Sequence, residues 1–217
     1  DMPNNNNNNA TRKEYLQHNR YCRTFGQTSP KHMEQVIAFV FASIRTQTFL
    51  LPKLMKEWRK RGVKSSWIWG NKKNGIAFVR KNKTDLYDRM MSIIKAKKSN
   101  MSHDLIMLFL EVPGLGIPKS AFVVQLLTGM SGCMDVHNIR KYLPEADASK
   151  GTPNMFQTSG NSEAIKIKKV HEYQELVKKA GGSQSMWVDW CNHISVLQPK
   201  YFNGGREVSK LHQECIR

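Results

Sequence analysis

Apolar residues recur at helical spacing along most of this chain. After Pro30, a dense apolar run predicts a buried helix that continues until Pro52 breaks it. A second, amphipathic helix starts at this proline and ends at Gly62, because proline suits the first turn of a helix and glycine suits its end. Further on, Thr84 is suited to cap one helix and Ser102 to cap the next.

The second half of the chain continues in the same pattern. Helical segments are predicted after Pro118 and over 135–143, 161–180 and 186–197, with a short one in the C-terminal tail. Residues 65–83 are predicted to form a loop or short turns, and only 67–80 show any strand-like patterning. The pattern as a whole predicts an all-α protein.

A glycine hairpin lies between two of these helical segments. Gly114 and Gly116 flank one apolar residue, Leu115, and glycine allows the tight backbone turn that this spacing needs. The helix that starts near Pro118 then points several amide N–H groups at whatever lies outside the turn. In a basic protein, a phosphate group is the expected partner of these amides.

The charge of the chain favours a polyanionic partner. Lysine and arginine total 34 residues against 17 aspartates and glutamates, which gives a formal net charge of +17. A basic ribosomal protein or a membrane-surface protein would be equally positive, so charge alone does not single out DNA. The longest apolar run, within 36–44, is too short to span a bilayer and no secretory signal precedes it, so we expect no membrane partner.

Four cysteines are spread widely along the 217 residues, unlike a dense disulfide framework or the four-cysteine run of an iron–sulfur protein. A reducing, cytoplasmic setting without an iron–sulfur cluster is therefore expected. His18 with Cys22, and His212 with Cys215, each have the spacing of one helix face, and joined they would form a structural zinc site. Nothing in the sequence joins them, so four residues without a metal is the simpler expectation.

One combination of motifs resembles a known family. An apolar helix with SIRTQT is followed by GIAFVRKNK, then by VPGLGIPKSA and MDVHNIR. This order is similar to that of the helix-hairpin-helix DNA glycosylase superfamily, the class of endonuclease III and oxoguanine glycosylase, over residues 33–142. The matching positions are Pro113, Gly114, Gly116, Lys119, Ser120, Ala121, Asp135 and His137.

The chain departs from the family pattern in two places. One extra residue, Ile117 or Pro118, lies between the second glycine and the Lys-Ser-Ala sequence. In addition, Lys119 precedes Asp135 by 16 residues, which is shorter than the family spacing. A compact turn before the aspartate is needed to absorb this difference.

The resemblance implies an all-α, two-lobed helix-hairpin-helix glycosylase-like fold. One lobe, residues 33–142, would carry the hairpin, and the other would consist of 11–32 together with 143–217. The active cleft would lie between the lobes. Residues 1–10, which include six consecutive asparagines, predict a disordered polar N-terminus.

The resemblance also implies the chemistry. Asp135 would stabilise positive charge on the sugar, or activate a nucleophile, as the N-glycosidic bond breaks. An isolated aspartate at a helix start is otherwise an N-cap. Counted back from Ala121, Lys119 has the position of a lysine that attacks the sugar and forms a Schiff base. Counted forward from Gly116, Pro118 has that position, and the lysine only contacts phosphate or solvent.

Other residues would contact DNA. The hairpin amides would hold one phosphate, and Arg140 would pair with a phosphate or with Asp135. Arg45 or Gln47 would be the wedge that fills the space left by an extruded base, although both also fit ordinary helix-end residues. The DNA-binding set is therefore Gly114, Leu115, Gly116, Ile117, Ser120, Arg45, Gln47 and Arg140.

Three residues are candidates for the base pocket. Trp67 and Trp69, set among lysines beside a glycine, would stack on the extruded base. His137 either joins this pocket or packs under its helix as a structural histidine. Trp187 and Trp190, by contrast, lie at helical spacing, which is typical of core residues.

These features support three functions. The first is an enzyme that flips a nucleotide out of DNA and cleaves its N-glycosidic bond. The second is a transferase of the kind found in bacteriophage DNA hypermodification, which would add an amino acid or polyamine to an activated 5-hydroxymethyl pyrimidine. The third is a non-catalytic DNA-binding module. We expect a monomer, associated with the nucleoid in the cytoplasm of a bacterium or a phage-infected cell.

Overall fold

The computed structural model describes residues 8–146 and 154–217. Within these ranges the chain forms α-helices and no strand, which confirms the all-α class. In the same ranges, no helix is both long and apolar enough to cross a membrane. In chain order the helices are α1 (Arg12–Gly26), α2 (Pro30–Ser43), α3 (Leu51–Arg61), α4 (Asn71–Ala96), α5 (Met101–Phe109), α6 (Ile117–Thr128), α7 (Val136–Tyr142), α8 (Glu163–Lys179), α9 (Gly182–Leu197) and α10 (Gly205–Ile216).

The first long helix ends earlier than its apolar run predicts. α2 ends at Ser43 and does not continue to Pro52. Arg45 takes a φ of 53°, and this left-handed conformation interrupts an α-helix. Pro52 instead lies in the first turn of α3, which ends at Gly62 as predicted. The loop over 44–47 is thereby free to line the cavity described below.

The segment predicted as a loop is helical from Asn71 onward, while residues 65–70 form turns as predicted. α4 is continuous, so Thr84 lies inside it and is not an N-cap. Lysines alternate with the apolar residues in this segment, so the helical period of the apolar positions is hard to recognise from the sequence alone. The buried apolar residues share one face of α4 and are Ile76, Val79, Leu86 and Met90.

Other helix ends agree more closely with the sequence. α6 ends at Gly129, which has a φ of 81°, as its position after the apolar run predicts. α8 starts after Ser162, whose hydroxyl accepts a hydrogen bond from the Ile165 amide. α5 starts after Asn100, so the predicted cap at Ser102 is wrong by two residues.

α1 packs against α2, α6, α9 and α10, and therefore joins the two ends of the chain. The Tyr15 hydroxyl donates to the Gly129 carbonyl at 3.1 Å and lies 2.7 Å from the Ser183 hydroxyl. These contacts tie α1 to the end of α6 and the start of α9. The buried apolar residues of the described ranges form one cluster, so the N-terminal and C-terminal helices pack directly on those that carry the hairpin.

The predicted disordered terminus falls partly outside the described residues. Residues 1–7 lie outside them, but Ala10 is buried. Its amide donates to the Asn192 side chain at 2.7 Å, and its carbonyl accepts from the same side chain at 3.1 Å. The prediction of disorder therefore does not extend to this residue, because α9 satisfies its backbone.

α4 comes very close to the hairpin at Gly75. A Cβ atom at this position would lie 2.2 Å from Cζ of Phe41 and 2.3 Å from the Pro113 carbonyl oxygen. No real Cβ atom fits at such distances, so the crossing requires glycine. This contact fixes α2, α4 and the hairpin relative to one another, and with them one side of the cavity.

Candidate active site

A cavity of about 680 Å³ lies where the hairpin, the loop after α2 and the last two helices meet. Its lining residues come from 43–51, 114–125, 133–139 and 186–198, together with His212 of α10. Side chains from distant parts of the chain therefore meet in one place. The sequence-predicted residues that it brings together are Arg45, Gln47, Gly114, Gly116, Lys119, Asp135 and His137.

One side of the cavity is formed by cavity-lining residues within 114–139, which include the hairpin, part of α6 and the loop that leads into α7. We call this side the hairpin wall. Gly114 has a φ of 86°, and the Leu115 amide closes the turn by donating to the Val112 carbonyl at 3.1 Å. The Gly116 carbonyl then accepts from the Ser120 amide at 2.9 Å as α6 begins. The two glycines thus present their backbone to the cavity.

Only part of the predicted phosphate-binding set is positioned to meet a phosphate. The amides of Leu115 and Ser120 donate within the hairpin, and the Ser120 hydroxyl is fully buried. The Ile117 side chain is also fully buried, so this residue could contribute only its backbone. Gly114 and Gly116 are therefore the hairpin residues best placed for the contact.

Asp135 is an N-cap and a cavity-lining residue at once. Its Oδ1 accepts from the amides of His137 and Asn138, both at 3.0 Å, and this starts α7. Its Oδ2 accepts from the Trp190 indole at 2.8 Å. The N-cap interpretation is confirmed, but the same carboxylate also lines the cavity, held in one orientation by three charge-assisted hydrogen bonds.

The loop before α7 is fixed by a buried tyrosine of α8. The Tyr173 hydroxyl donates to the Gly132 carbonyl at 2.6 Å and accepts from the Met134 amide at 2.8 Å. The Asn138 side chain adds a hydrogen bond to the Cys133 carbonyl at 2.7 Å. These bonds make the compact turn that the shortened spacing between lysine and aspartate requires.

Lys119 lies on the hairpin wall. Its Nζ is 3.9 Å from Sγ of Cys133 and 5.5 Å from the centre of the Phe122 ring. Burial raises the pKa of the Cys133 thiol to about 11, although the charge of Lys119 opposes this effect. The thiol is therefore neutral near physiological pH. Lys119 thus meets the cavity with its amine between an uncharged thiol and an aromatic ring.

Trp187, Trp190 and His212 form another side of the cavity, which we call the aromatic wall. The two indoles stack with ring centres 5.6 Å apart, and the imidazole lies 5.1 Å from the first and 4.9 Å from the second. His18 of α1 supports this group from 4.2 Å behind Trp187. The sequence-based placement in the core is confirmed for Trp187, which is buried in the apolar cluster, while Trp190 is half-buried against that cluster. Both tryptophans also line the cavity, which the sequence did not predict.

The buried histidines of this group are uncharged. Burial lowers the pKa of His18 to about 3 and lowers the pKa of His212 well below its ordinary value. A neutral imidazole offers one N–H donor and one nitrogen acceptor. The aromatic wall is therefore a polar but uncharged surface.

Several buried polar atoms of the cavity lining have no hydrogen-bond partner among the described residues. They are Nδ1 and Nε2 of His212, Nε1 of Trp187, Oε1 of Gln198 and Nδ1 of His137. Leaving such an atom unpaired costs about 1–3 kcal/mol. Ordered water or a polar ligand in the cavity would supply the missing hydrogen bonds.

His137 and Arg140 of α7 lie in different surroundings. His137 lines the cavity with its ring 5.1 Å from that of His193. Burial lowers the pKa of His137, while the charge of Asp135 acts in the opposite direction. Arg140 is exposed and is not part of the cavity lining, so a contact with DNA would have to occur outside the cavity.

Arg45 and Gln47, the predicted wedge residues, are exposed and line the cavity. They belong to irregular backbone after the end of α2, not to the helix itself. The left-handed conformation of Arg45 turns the chain at this point. Their location agrees with a residue that enters DNA beside the cavity, and their role as a wedge stays a prediction.

The two tryptophans predicted to stack on a base lie elsewhere. Trp67 is buried, and its indole donates to the Leu54 carbonyl at 3.0 Å. Trp69 is 69% exposed, and neither residue is part of the cavity lining. Trp67 is a core residue because α3 packs against it, and this corrects its assignment to the base pocket.

The four residues considered as an alternative zinc site, His18, Cys22, His212 and Cys215, are not arranged as a metal-binding group in the part of the chain that the structure describes. The rings of His18 and His212 are 6.1 Å apart, and Sγ of Cys22 lies 3.6 Å from Nε2 of His18. In residues 8–146 and 154–217, no group of three or more His, Cys, Asp or Glu side chains is arranged to hold a metal ion. Burial raises the pKa of Cys215 to about 12, which disfavours the thiolate that zinc requires.

Sequence reasoning missed the role of Tyr173 and did not predict that Trp190 and His212 line the cavity. An isolated tyrosine in a lysine-rich helix gives no sign that its hydroxyl will hold a loop distant in sequence. The spacing of Trp187 and Trp190 is equally typical of a core and of a cavity wall. The one sequence signal for a cavity-lining position was the polar atoms of these side chains. An indole and an imidazole carry N–H donors, and a purely apolar core would leave those donors unpaired.

Comparison of the chain with protein-family models, with curated proteins and with solved structures finds no match. The functional assignment therefore depends on the geometry of the cavity and on the motifs that form its hairpin wall.

Proposed function

We propose that this protein is a DNA-base-acting enzyme that flips a nucleotide into the cavity and cleaves its N-glycosidic bond. The observation that carries the proposal is the convergence of the hairpin, Lys119 and Asp135 on one cavity with an aromatic wall. The resemblance to helix-hairpin-helix glycosylases links the hairpin to the aspartate. It does not involve Trp187, Trp190 or His212, so the aromatic wall supports the proposal independently.

The two-lobed arrangement is part of the proposal. The hairpin wall belongs to residues 33–142, and the aromatic wall belongs to residues 143–217. A cleft between two such units is where a flipped base would enter. The position of the cavity agrees with this arrangement.

Each wall then has its own task in binding. The backbone of Gly114 and Gly116 would hold one phosphate, and the formal charge of +17 would draw the rest of the DNA to the surface. Trp187 and Trp190 would pack on the extruded base, and the unpaired polar atoms of His212 and Gln198 would meet its edge.

The reaction proposed for the hairpin wall is hydrolysis. The bond between C1′ and the base nitrogen breaks, and its electron pair leaves with the base, which takes up a proton from solvent. A water molecule adds to C1′ and gives its proton to Asp135, which returns it to solvent. The carboxylate also faces the positive charge that develops on the sugar, and hydrogen bonds from Trp190 and two amides hold it in place for that purpose.

Lys119 adds a second chemical possibility at the same wall. If the Lys119 amine replaces water in the attack on C1′, nitrogen forms the new bond and the base leaves with the electron pair of the old one, taking up the proton that the amine loses. The C1′–O4′ bond then breaks, O4′ takes up a proton from solvent, and a protonated Schiff base between Lys119 and C1′ remains. The enzyme would then also nick the strand. The location of the amine in the cavity supports this assignment over one in which Lys119 contacts only solvent.

Mass spectrometry of DNA treated with the protein tests the proposal. The substrates are oligonucleotides that carry ordinary, mismatched and modified bases, and the control protein is Asp135→Asn, since asparagine is also a good N-cap and preserves α7. We expect free base and an abasic site with the wild-type protein only. If every oligonucleotide stays intact, or if Asp135→Asn releases base as fast as the wild-type protein, the proposal is wrong.

The size of the cavity favours one alternative reaction. A volume of about 680 Å³ is in the range that holds drug-sized ligands, so a pyrimidine with an extended substituent on C5 would fit. In that transferase, an amino acid or polyamine nitrogen would displace an activated group from the C5 methylene and lose a proton to Asp135. The same mass spectra distinguish the two reactions, because a base of altered mass that remains on the sugar supports transfer and excludes excision.

Salt dependence checks the DNA partner independently of the chemistry. Phosphate contacts release counterions, so affinity should fall by roughly a thousandfold between about 50 mM and about 200 mM salt if about six contacts form. Fluorescence anisotropy of a labelled duplex and a labelled single strand measures this slope. A flat response would contradict a phosphate-based interface.

A further inference from the structure

An aromatic pair, half-buried Phe49 and exposed Tyr201, lies beside the cavity. Phe49 and Tyr201 stack with ring centres 3.7 Å apart and an angle of 8° between the rings. Phe49 follows the cavity-lining residue Thr48, and Tyr201 lies in the turn that begins at Gln198, which also lines the cavity. The pair therefore joins two segments that both border the site.

The surface around this pair is apolar and open to solvent. Tyr201 is 47% exposed, Leu50 is 38% exposed and Leu197 is 51% exposed. Exposing large apolar side chains together is costly, and aromatic surfaces of this kind are typical of binding sites. We call Phe49, Leu50, Leu197 and Tyr201 the aromatic ledge.

The charge around the ledge identifies the kind of partner. The segments that carry it contain no aspartate or glutamate between Glu34 and Glu57 or between Asp189 and Glu207. The Glu207 carboxylate accepts a hydrogen bond from the Asn203 amide, two residues after Tyr201. Both segments contain basic residues, and Nζ of Lys200 lies 5.9 Å from the centre of the Tyr201 ring. A second copy of this chain would bring like charges together at the ledge, whereas a nucleic acid strand would match both its charge and its aromatic surface.

We propose that the aromatic ledge binds an unstacked base of the DNA strand immediately beside the nucleotide that enters the cavity. This inference rests on the proposed function for the identity of the polyanion, but it assigns a separate site with separate residues. Base stacking on an aromatic side chain does not depend on sequence, because every base has a flat aromatic face. The ledge therefore supplies affinity and strand registration, while the cavity supplies selectivity.

The test uses an oligonucleotide with an abasic analogue at the target position, so that no base enters the cavity. A 2-aminopurine beside the analogue reports stacking through quenching of its fluorescence. For wild-type protein we expect quenching, and for Tyr201→Ala we expect weaker quenching and an affinity reduced by about tenfold. Phe49→Leu should act in the same direction, while Tyr201→Phe should keep both signals because the ring remains.

Two control variants separate the ledge from other surfaces. Trp69→Ala removes an exposed aromatic residue that does not line the cavity and should change nothing. Asp135→Asn should abolish base release but leave the quenching intact. The circular dichroism spectrum and melting temperature of each variant establish that it is folded.

Three results would overturn the ledge proposal. The first is unchanged affinity and quenching in folded Tyr201→Ala, and the second is an equal loss in Trp69→Ala. The third is a shift from dimer to monomer on ultracentrifugation of Tyr201→Ala without loss of DNA affinity, which would identify the ledge as a contact between copies. Base release without dependence on Tyr201 refutes the ledge alone. Ledge-dependent binding without base release refutes the proposed function alone.

Discussion

The two walls of the cavity differ in chemistry and in how they are built. The hairpin wall carries the charged groups, Lys119 and Asp135, on backbone held by turns, caps and the hydroxyl of Tyr173. The aromatic wall carries neutral rings with unpaired polar atoms, on helices packed against α1. The charged groups thus lie on the wall where a bond is proposed to break. The neutral polar groups lie on the wall where a base is proposed to bind.

This difference separates reaction from recognition. A carboxylate in the aromatic wall would be costly to desolvate and would repel the phosphates of DNA. Neutral imidazole and indole groups can instead meet the edge and face of a base without such a penalty. The Trp190 indole connects the two walls, because its ring belongs to one and its N–H group binds Asp135 of the other.

The largest effect is expected for Asp135→Asn. The variant keeps a capping side chain but loses the negative charge, so base release under single-turnover conditions should fall by about a thousandfold. Affinity for DNA should change little. Asp85→Asn on exposed α4 is the matched control and should retain full activity. Equal activity of the two variants would show that the Asp135 carboxylate takes no part in base release.

A smaller effect, about a hundredfold in rate, is expected for Lys119→Gln. Borohydride should trap the wild-type protein on DNA with an abasic site and should not trap this variant. Lys119→Arg keeps the positive charge but cannot form the Schiff base, so it should bind DNA normally and also fail to be trapped. Trapping of Lys119→Gln would place the reactive amine elsewhere.

The neutral histidines give the aromatic wall a pH-dependent stability. The folded-state pKa of His18 is about 3, below the ordinary value of 6.5 in the unfolded chain. Its stabilising contribution is therefore complete above the unfolded pKa and is lost as the pH falls towards the folded one. Between about pH 7.5 and about pH 5, the free energy of unfolding should fall by about 2 kcal/mol from this residue.

Urea unfolding at several pH values measures this change. His18→Phe removes the proton uptake by the unfolded chain and should flatten the pH dependence over the same interval. Burial shifts the pKa of His212 in the same direction as that of His18. His212→Phe should therefore also flatten the pH dependence of the free energy of unfolding. An identical pH dependence in wild-type protein and in both variants would contradict neutral, buried imidazoles.

The smallest effects come from the two tryptophans, and they separate the walls. Trp190→Phe removes the donor to Oδ2 of Asp135, so kcat should fall by about tenfold with little change in KM. Trp187→Phe removes an indole N–H that has no partner among the described residues, so KM should change more than kcat. The same kinetic effect in both variants would mean that the two walls do not have separate tasks.

The helices were largely predictable from the sequence because their caps and apolar faces are local features. The exceptions have physical causes. Thr84 resembles an N-cap but lies inside α4, since packing of one apolar face against α2 outweighs the local preference of a threonine. The early end of α2 depends on the left-handed turn at Arg45, which the apolar run did not signal.

The residues of the site also divide into those that local sequence features predicted and those that depend on tertiary packing. The hairpin glycines, Lys119 and Asp135 could be predicted to lie at one site because their order along the chain follows a motif, although their spacing departs from it. Trp190 and His212 could not, because they reach the cavity only through the packing of α9 and α10 on α1. The prediction for Trp67 was wrong in the opposite sense. Its lysine-rich neighbours predicted a surface residue, but its side chain is buried.

The most direct test of the account is a crystal structure of Asp135→Asn bound to the oligonucleotide that wild-type protein processes fastest. The account predicts electron density for one extruded base in the cavity, packed on the cavity side of the aromatic wall, with the adjacent phosphate at Gly114 and Gly116. Density that places the DNA away from the cavity, or that leaves every base stacked in the helix, would contradict it.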